Sequence, residues 1–506
     1  MAQYHLSAKV RTRGARGAGS TPLHAQYILR QGRYAARQFE LAYNESGNMP
    51  EWAQSDPLQY WRALDDHERA NGRACRSLIL ALPDELTKEQ NRRLASDFVR
   101  EITSEDRLPY TLAIHDDGKG NPHCHVMINE RGNDGIARTQ ETWFKRANAA
   151  EQELGGAPKI QKLNGKRWLL SIRELWAHRQ NQALAHNGWS QRVDHRSYRS
   201  RGFDIVPGIH RGVKGRRFGG QWSEDRRDRD RKNGDLFLRD PEQAVRACAQ
   251  EQPAFTAAEF DRFLRRVMDG DRVAGVFIRA KESGALIELR HRDEGQTLYS
   301  SAEQVTLEAR VQQRALKLSK RHGHGVSASN VLGPSKSRTM GFAQELAYRY
   351  VTQESGDVAV VQGYAGAGKS YMLGAAREAW NAQGLEVLGA ALSGKAASSL
   401  QAESGIPSRT LASWEYGWAH GKNLLRQKQV LVIDEAGMVG TDQLDRFLAA
   451  AESAGAKVVL VGDTAQLQAI SSGAGMQLVA ESVGQSVMSE IRRQEVEWQQ
   501  NASVDM

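Results

Sequence analysis

Only three cysteines occur in 506 residues, Cys75, Cys124 and Cys248. Widely spaced and odd in number, they exclude a disulfide framework, lack zinc-ribbon spacing and fit a reducing compartment. No stretch approaches the roughly 18 apolar residues of a membrane span. The opening Met-Ala-Gln-Tyr-His-Leu-Ser-Ala-Lys-Val has no apolar core of signal-peptide length. A cytoplasmic protein without a membrane span is expected. Solenoid-length repeats are missing too. The second half lacks a charge imbalance: residues 236–506 carry 29 Lys+Arg against 31 Asp+Glu, whereas residues 1–235 carry 40 against 29. The net +9 therefore arises entirely in the first half, +11 against −2. A basic half beside a neutral one suggests that the first half meets a polyanion such as DNA or RNA. The length implies two to four domains.

Residues 3–10 read as a strand leading into a basic Gly-rich loop, Arg11 to Ser20, whose Arg11, Arg13 and Arg16 could grip a phosphate backbone. A helical pattern then runs from about Thr21 to Tyr43 and sets Tyr27 and Tyr34, seven apart, on one face. Strands are expected at 77–82, 110–115 and 123–129, with a helix at about 87–103, an irregular alternation that implies an α+β domain. From about 205 to 235 the chain is Gly- and Arg-rich and reads as a linker or exposed arm. An α-rich piece follows, its clearest helices at 255–268 and 301–322. From Val358 onward short apolar strands alternate with helices, which predicts a parallel sheet.

The first chemical constellation is His115-Asp-Asp-Gly-Lys-Gly-Asn-Pro-His123-Cys-His125. On a strand, residues two apart share a face, so His123 and His125 project together. A hairpin turning through Asp116 to Pro122 sets His115 beside His123. Three neutral imidazoles from one face suit a divalent metal and leave open positions for water or a phosphate oxygen.

The string 110–128, the opening Tyr-His-Leu-Ser-Ala-Lys, the segment Tyr27-Ile-Leu-Arg-Gln-Gly-Arg-Tyr34 and Val193-Asp-His-Arg-Ser together resemble the MobA/MobL relaxases over residues 1–212. The resemblance implies an α+β relaxase domain, an antiparallel sheet with helices of the His-hydrophobic-His nuclease type. It implies that His115, His123 and His125 hold the metal, magnesium or manganese, and that Tyr27 attacks the scissile phosphodiester. Tyr4 and Tyr34 are rival nucleophiles. A phenol with a pKa of about 10 attacks phosphate poorly unless its proton is removed and the phosphate charge is masked, which a metal can do. The resemblance departs at the strand before Leu82-Pro83, where acidic side chains are usual and this sequence has Ser77 and Ile79. No carboxylate is therefore assigned to the site, although Glu68 and Asp116 are near in sequence. His195 orders DNA or packs.

The second constellation is Gly363-Tyr-Ala-Gly366-Ala-Gly368-Lys369-Ser370, between an apolar strand and a helix. Backbone amides and a helix N-terminus cradle phosphate there, Lys369 reaches its outer oxygens and Ser370 ligates magnesium. The strand ending at Asp434-Glu435 supplies the other half, Asp434 on the magnesium shell and Glu435 to polarise the attacking water. Ser393-Gly-Lys-Ala-Ala, Asp434-Glu-Ala-Gly-Met and Gly462-Asp-Thr-Ala-Gln466-Leu resemble the first RecA-like domain of superfamily-one helicases of the RecD and TraA type. That resemblance implies an α/β RecA-like P-loop domain over 336–506, ATP with magnesium as its ligand, Gln466 as a sensor of the terminal phosphate, and Arg492 or Arg493 in contact with it. Between the two parts it implies a linker at 213–235 and a small α-rich region at 236–335. The sequence stops about a dozen residues after Gln494, so a second RecA-like domain is not expected, and ATP binding with little unwinding is.

The combined expectation is an enzyme that nicks and rejoins one strand at a plasmid transfer origin through a 5′-phosphotyrosine, in the bacterial cytoplasm. Its expected partners are single-stranded and origin DNA, accessory mobilisation proteins and a type IV secretion coupling protein. A rolling-circle replication initiator and a non-catalytic origin-binding protein are the competing readings.

Overall fold

The computed structural model describes residues 4–12, 21–69, 72–118, 120–189, 191–208, 219–289, 297–364, 366–463 and 475–489. Two compact units span Met1–His195 and Arg196–Met506.

In the first unit five strands, β1 (Leu6–Thr12), β2 (Leu41–Gly47), β3 (Arg73–Ala81), β4 (Tyr110–His115) and β5 (His123–Ile128), form an antiparallel sheet in the order β1-β3-β5-β4-β2. Alternation assigns its two faces. Leu78, Leu80, Leu112, Ile114, Val126 and Ile128 point to one side, into a core with Phe98 and Trp176. Those rings come from helix α3 (Lys88–Ser104) and the helix Lys166–His186, and their centroids lie 4.8 Å apart. Thr87 starts α3 with a capping box, its hydroxyl accepting from the Gln90 N–H while the Gln90 side chain accepts from the Thr87 N–H, which satisfies two otherwise orphaned donors. The other face turns Cys75, Ala113 and Met127 toward helices α1 (Thr21–Ile28) and α2 (Pro57–His67), where Ala25, Ile28, Trp61 and Leu64 complete a second core. His115, His123 and His125 have the same parity as Ala113 and Met127, so they lie on the α1 side.

The helix expected over 21–43 is three elements. α1 stops at Ile28, a 3-10 segment covers Gly32–Glu40, and Leu41–Gly47 is the edge strand β2. Arg30 (φ 53°) and Gly32 (φ 57°) adopt left-handed backbone between them, which a helix cannot continue through.

In the second unit the segment read as a linker is a helix from Gly219 to Arg239. Its charge block is spaced to form pairs, Arg226 with Asp230 and Lys232 with Asp228, both i,i+4, while Leu236 and Phe237 enter a core with Phe255, Phe260 and Phe263. The α-rich region also contains a small antiparallel sheet of β6 (Phe255–Thr256), β7 (Leu286–Leu289) and β8 (Leu298–Ser301), in the order β6-β8-β7. The helix Ala302–Ser319 leaves it to pack Val311, Ala315 and Leu318 against the last domain. Arg310 and Arg314 there hold Asp445, and Arg314 and Lys317 hold Glu452.

That domain is a parallel sheet of β9 (Val358–Gly363), β10 (Glu386–Ala391), β11 (Ser408–Thr410), β12 (Gln429–Ile433), β13 (Lys457–Gly462) and β14 (Ser486–Met488), in the order β11-β10-β12-β13-β9-β14. β12 and β13 are buried along their whole length, as strands covered on both faces must be.

Candidate active site and nucleotide loop

The hairpin register pairs His115 with His123 and Ala113 with His125, so the three imidazoles converge. One ligating nitrogen from each lies within 4.8 Å of the others. His123 and His125 each have a nitrogen to give, and His115 has one once Nδ1 exchanges its Arg30 hydrogen bond for the ion. Arg30 donates to His115 Nδ1 at 3.1 Å, which leaves the proton on Nε2, and that N–H donates to the Ile28 carbonyl at 2.7 Å. His123 donates from Nδ1 to the Asn121 carbonyl at 2.9 Å, freeing Nε2. His125 is buried with no hydrogen-bond partner at either nitrogen among the described residues. An unsatisfied buried imidazole costs on the order of 1–3 kcal/mol, and a bound cation would relieve that cost. Burial, aided by the neighbouring imidazoles, pushes His125 down to about 2. Burial, against the Ile28 hydrogen bond and with help from Arg30, holds His115 down at about 4. Both rings are therefore neutral near pH 7, the form that ligates metal. The donor set fits a divalent ion.

Tyr27 stands on α1 over this cluster. Its ring centroid is 5.8 Å from that of His125 and 6.3 Å from that of His115, both nearly edge-on. Tyr34 reaches it at 5.3 Å, although through the 3-10 segment and not along one helix face. The Arg30 guanidinium lies over the Tyr27 ring at 4.7 Å. Arg30 is itself held by Glu40 at 2.8 Å, and Glu40 also pairs with Arg37. Burial raises the Glu40 carboxyl, but the hydrogen bonds and charges of Arg37 and Arg30 outweigh it and keep the group below the usual carboxylate range.

The other tyrosine candidate, Tyr4, is turned away: its hydroxyl donates to the Arg173 carbonyl at 3.0 Å and its ring packs on His195. Arg13 and Arg16 lie outside the described residues, and Arg11 is on β1. Glu68 is buried against Arg131 and Lys159, a structural ion pair. Asp116 accepts from the Gly118 N–H and pairs with Lys88.

Sequence reasoning missed His24, Arg30 and Glu40. His24 stacks on Tyr27 at 6.1 Å and 14°, and its Nε2 shares a 3.1 Å hydrogen bond with Ser77 Oγ. Ser77 is one of the two positions where the sequence departs from the family resemblance. Burial, with Arg11 adding to it, lowers His24 to about 3. Once α1 is known, i to i+3 spacing puts His24 and Tyr27 on one face. Arg30 and Glu40 carry no such signal.

In the second unit the P-loop follows β9. Gly366 and Gly368 have φ of 86° and 77°, and Gly368 caps the helix Lys369–Ala382, with Ser370 in its first turn. Lys369 Nζ donates to the carbonyls of Gly363 at 2.6 Å and Tyr364 at 3.1 Å. At the end of β12, Asp434 is raised by burial, against an Oδ1 hydrogen bond from the Glu435 N–H and the charge of Lys369. Glu435 sits at φ 53°, a left-handed backbone that few non-glycine residues adopt. Gln466, Arg492 and Arg493 lie outside the described residues.

The MobA/MobL family matches residues 22–220, and an AAA domain matches residues 339–506. Mobilization protein A of Escherichia coli is 48% identical over 212 residues, 42% of this chain and 30% of that protein. The 43 kDa relaxation protein of Salmonella typhimurium is 42% identical over 214 residues, 40% of this chain and 56% of its own. Over a longer span, the probable conjugal transfer protein TraA of Sinorhizobium fredii (strain NBRC 101917 / NGR234) is 33% identical across 479 residues, covering 88% of this chain. The chain spans 43% of that relative's length. No helix among the described residues is long and apolar enough to cross a membrane. An antiparallel sheet bearing a histidine triad that could hold a metal and a parallel sheet with a phosphate loop thus coincide with the matched regions: residues 22–220 carry a MobA/MobL family domain and residues 339–506 an AAA domain.

Proposed function

We propose that the chain is a conjugative relaxase that nicks and rejoins one DNA strand at a plasmid transfer origin, with an attached domain that binds ATP and magnesium. The observation that carries this reading is the Tyr27 ring packed against His115 and His125, 6.3 and 5.8 Å away. In the reaction the Tyr27 oxygen bonds to phosphorus and the bond to the 3′ oxygen breaks. The phenol loses its proton, and the departing oxygen gains one as a 3′ hydroxyl. The strand stays joined through its 5′ phosphate to Tyr27, and reversal by a 3′ hydroxyl reseals it.

The three imidazoles would hold magnesium or manganese, which masks phosphate charge and stabilises the charge developing in the transition state. Neutral His125 keeps its lone pair for that purpose, and neutral His115 would offer Nδ1 in exchange for its hydrogen bond from Arg30. Arg30, over the Tyr27 ring and against His115, adds fixed positive charge beside the phosphate. His24 and Tyr34 confine the phenol from two sides.

In the second domain the amides of the Gly363–Ser370 loop and Lys369 would receive the phosphates, and Ser370 and Asp434 would hold the magnesium. Glu435 would orient the attacking water, and the resemblance gives the terminal phosphate to Gln466 and Arg493, which lie outside the described residues. The partners are origin DNA, accessory mobilisation proteins and a secretion coupling protein, in the bacterial cytoplasm.

Incubation with origin-bearing single-stranded DNA and Mn²⁺ tests the reading. A phenol-resistant adduct that disappears in Tyr27→Phe supports it. Persistence of the adduct in Tyr27→Phe and its loss in Tyr34→Phe would move the nucleophile to Tyr34, and absence of any adduct sinks the proposal.

A further inference from the structure

The wall of the tyrosine site on the β2 side is the 3-10 segment Gly32–Glu40. It is tied down at its end: Glu40 is buried, takes Arg30 and Arg37, and accepts the Asp116 N–H at its carbonyl, next to His115. The residues before Glu40 are held outward. Phe39 is 78% exposed, more than any other large hydrophobic side chain among the described residues. Arg37, 53% exposed, and Arg33 precede it on the same segment. Arg33 lies over the Tyr34 ring at 4.9 Å, and Tyr34 in turn touches Tyr27.

A single exposed phenylalanine is ordinary. An exposed ring that shares with two exposed arginines and a tyrosine an anchored segment ending beside the metal-ligating histidines is not. Arginines interleaved with aromatic faces suit one class of ligand, a single strand whose phosphates need cations and whose bases need a flat apolar surface. Because Glu40 fixes the backbone beneath Phe39, little ordering is left to do on binding.

We infer that Gly32–Glu40 is a rim over which single-stranded DNA runs, with Phe39 stacking on a base next to the cleaved phosphate and Arg33 and Arg37 meeting the backbone. The inference rests on the strand-cleaving reading of the site. It adds a base-stacking position outside the metal and the nucleophile. Phe39 touches neither histidines nor Tyr27, so its loss acts on strand affinity and not on metal binding.

The test uses the full chain, with EDTA to silence cleavage, and two fluorescent probes of equal length: oligothymidylate and an abasic deoxyribose-phosphate strand. Phe39→Ala should weaken oligothymidylate by about 5- to 100-fold and leave the abasic strand unchanged. Phe39→Trp should restore affinity, with emission quenched on binding. Arg33→Gln should weaken both probes alike and lower the salt slope by about 0.7. Oligothymidylate binding at wild-type strength by Phe39→Ala, or an equal loss on both probes, overturns the rim alone. Failure of the wild-type chain to bind either probe takes the strand-cleaving reading down with it.

Discussion

The two candidate sites are built from opposite parts of the residue. The histidine centre is made of side chains from the β4–β5 hairpin, fixed by register and parity, and from α1, distant in sequence. The phosphate loop is made of backbone, a contiguous run whose glycines take left-handed angles so that amides can face a ligand. A side-chain site is broken by removing groups, a backbone site by adding them.

The largest expected effect follows from the first half of that contrast. Tyr27→Phe should lower adduct formation by about four orders of magnitude or more without changing ATP hydrolysis, as read by a gel-shift adduct assay beside a phosphate-release assay. Loss of both activities would mean that the sites are not independent. His125→Ala should weaken Mn²⁺ binding by at least about a hundredfold, measured calorimetrically, with nucleotide affinity intact. Gly368→Ala tests the second half. Its φ of 77° is unfavourable for alanine, and the new methyl would run into the Gln344 amide. Nucleotide affinity should fall by roughly 10- to 100-fold, from about 1–2 kcal/mol of left-handed strain plus the clash. Wild-type nucleotide binding by that variant would break the contrast.

The smallest effect is on acid stability. His24 is held down at about 3 by burial and Arg11, so between its ordinary 6.5 and 3 the unfolded chain binds a proton that the fold does not. Its contribution is complete above about pH 6.5 and is lost as pH falls through that window, amounting to about 2 kcal/mol by pH 5. The first unit should thus lose urea resistance between pH 7 and 5, and His24→Gln should lessen that loss. An identical pH dependence in His24→Gln would assign the acid sensitivity elsewhere.

The same contrast explains how much could be read in advance. The P-loop stands whole in eight consecutive letters, and the histidine hairpin in eleven, because a tight turn brings its partners together. The parallel sheet followed from short apolar strands alternating with helices, whereas the antiparallel sheet came only with the family resemblance. The pocket around Tyr27 was not legible. Nothing local signals that Arg30 turns left-handed and ends α1, so the helical pattern runs on to Tyr43 and hides the strand β2. Arg30 and Glu40 find each other only after that turn. The helix Gly219–Arg239 was obscured for a different reason. Its alternating charges resemble an exposed arm until their i,i+4 partners are counted.

The Ile28 carbonyl, taken up by the His115 ring, makes the segment carrying the tyrosine and the strand carrying the histidine a single mechanical part. Tilting one rotates the other, so neither can drift or be grafted alone. Swapping the tyrosine segment between such proteins would preserve the reach of the phenol and still misalign the ring that has to meet it.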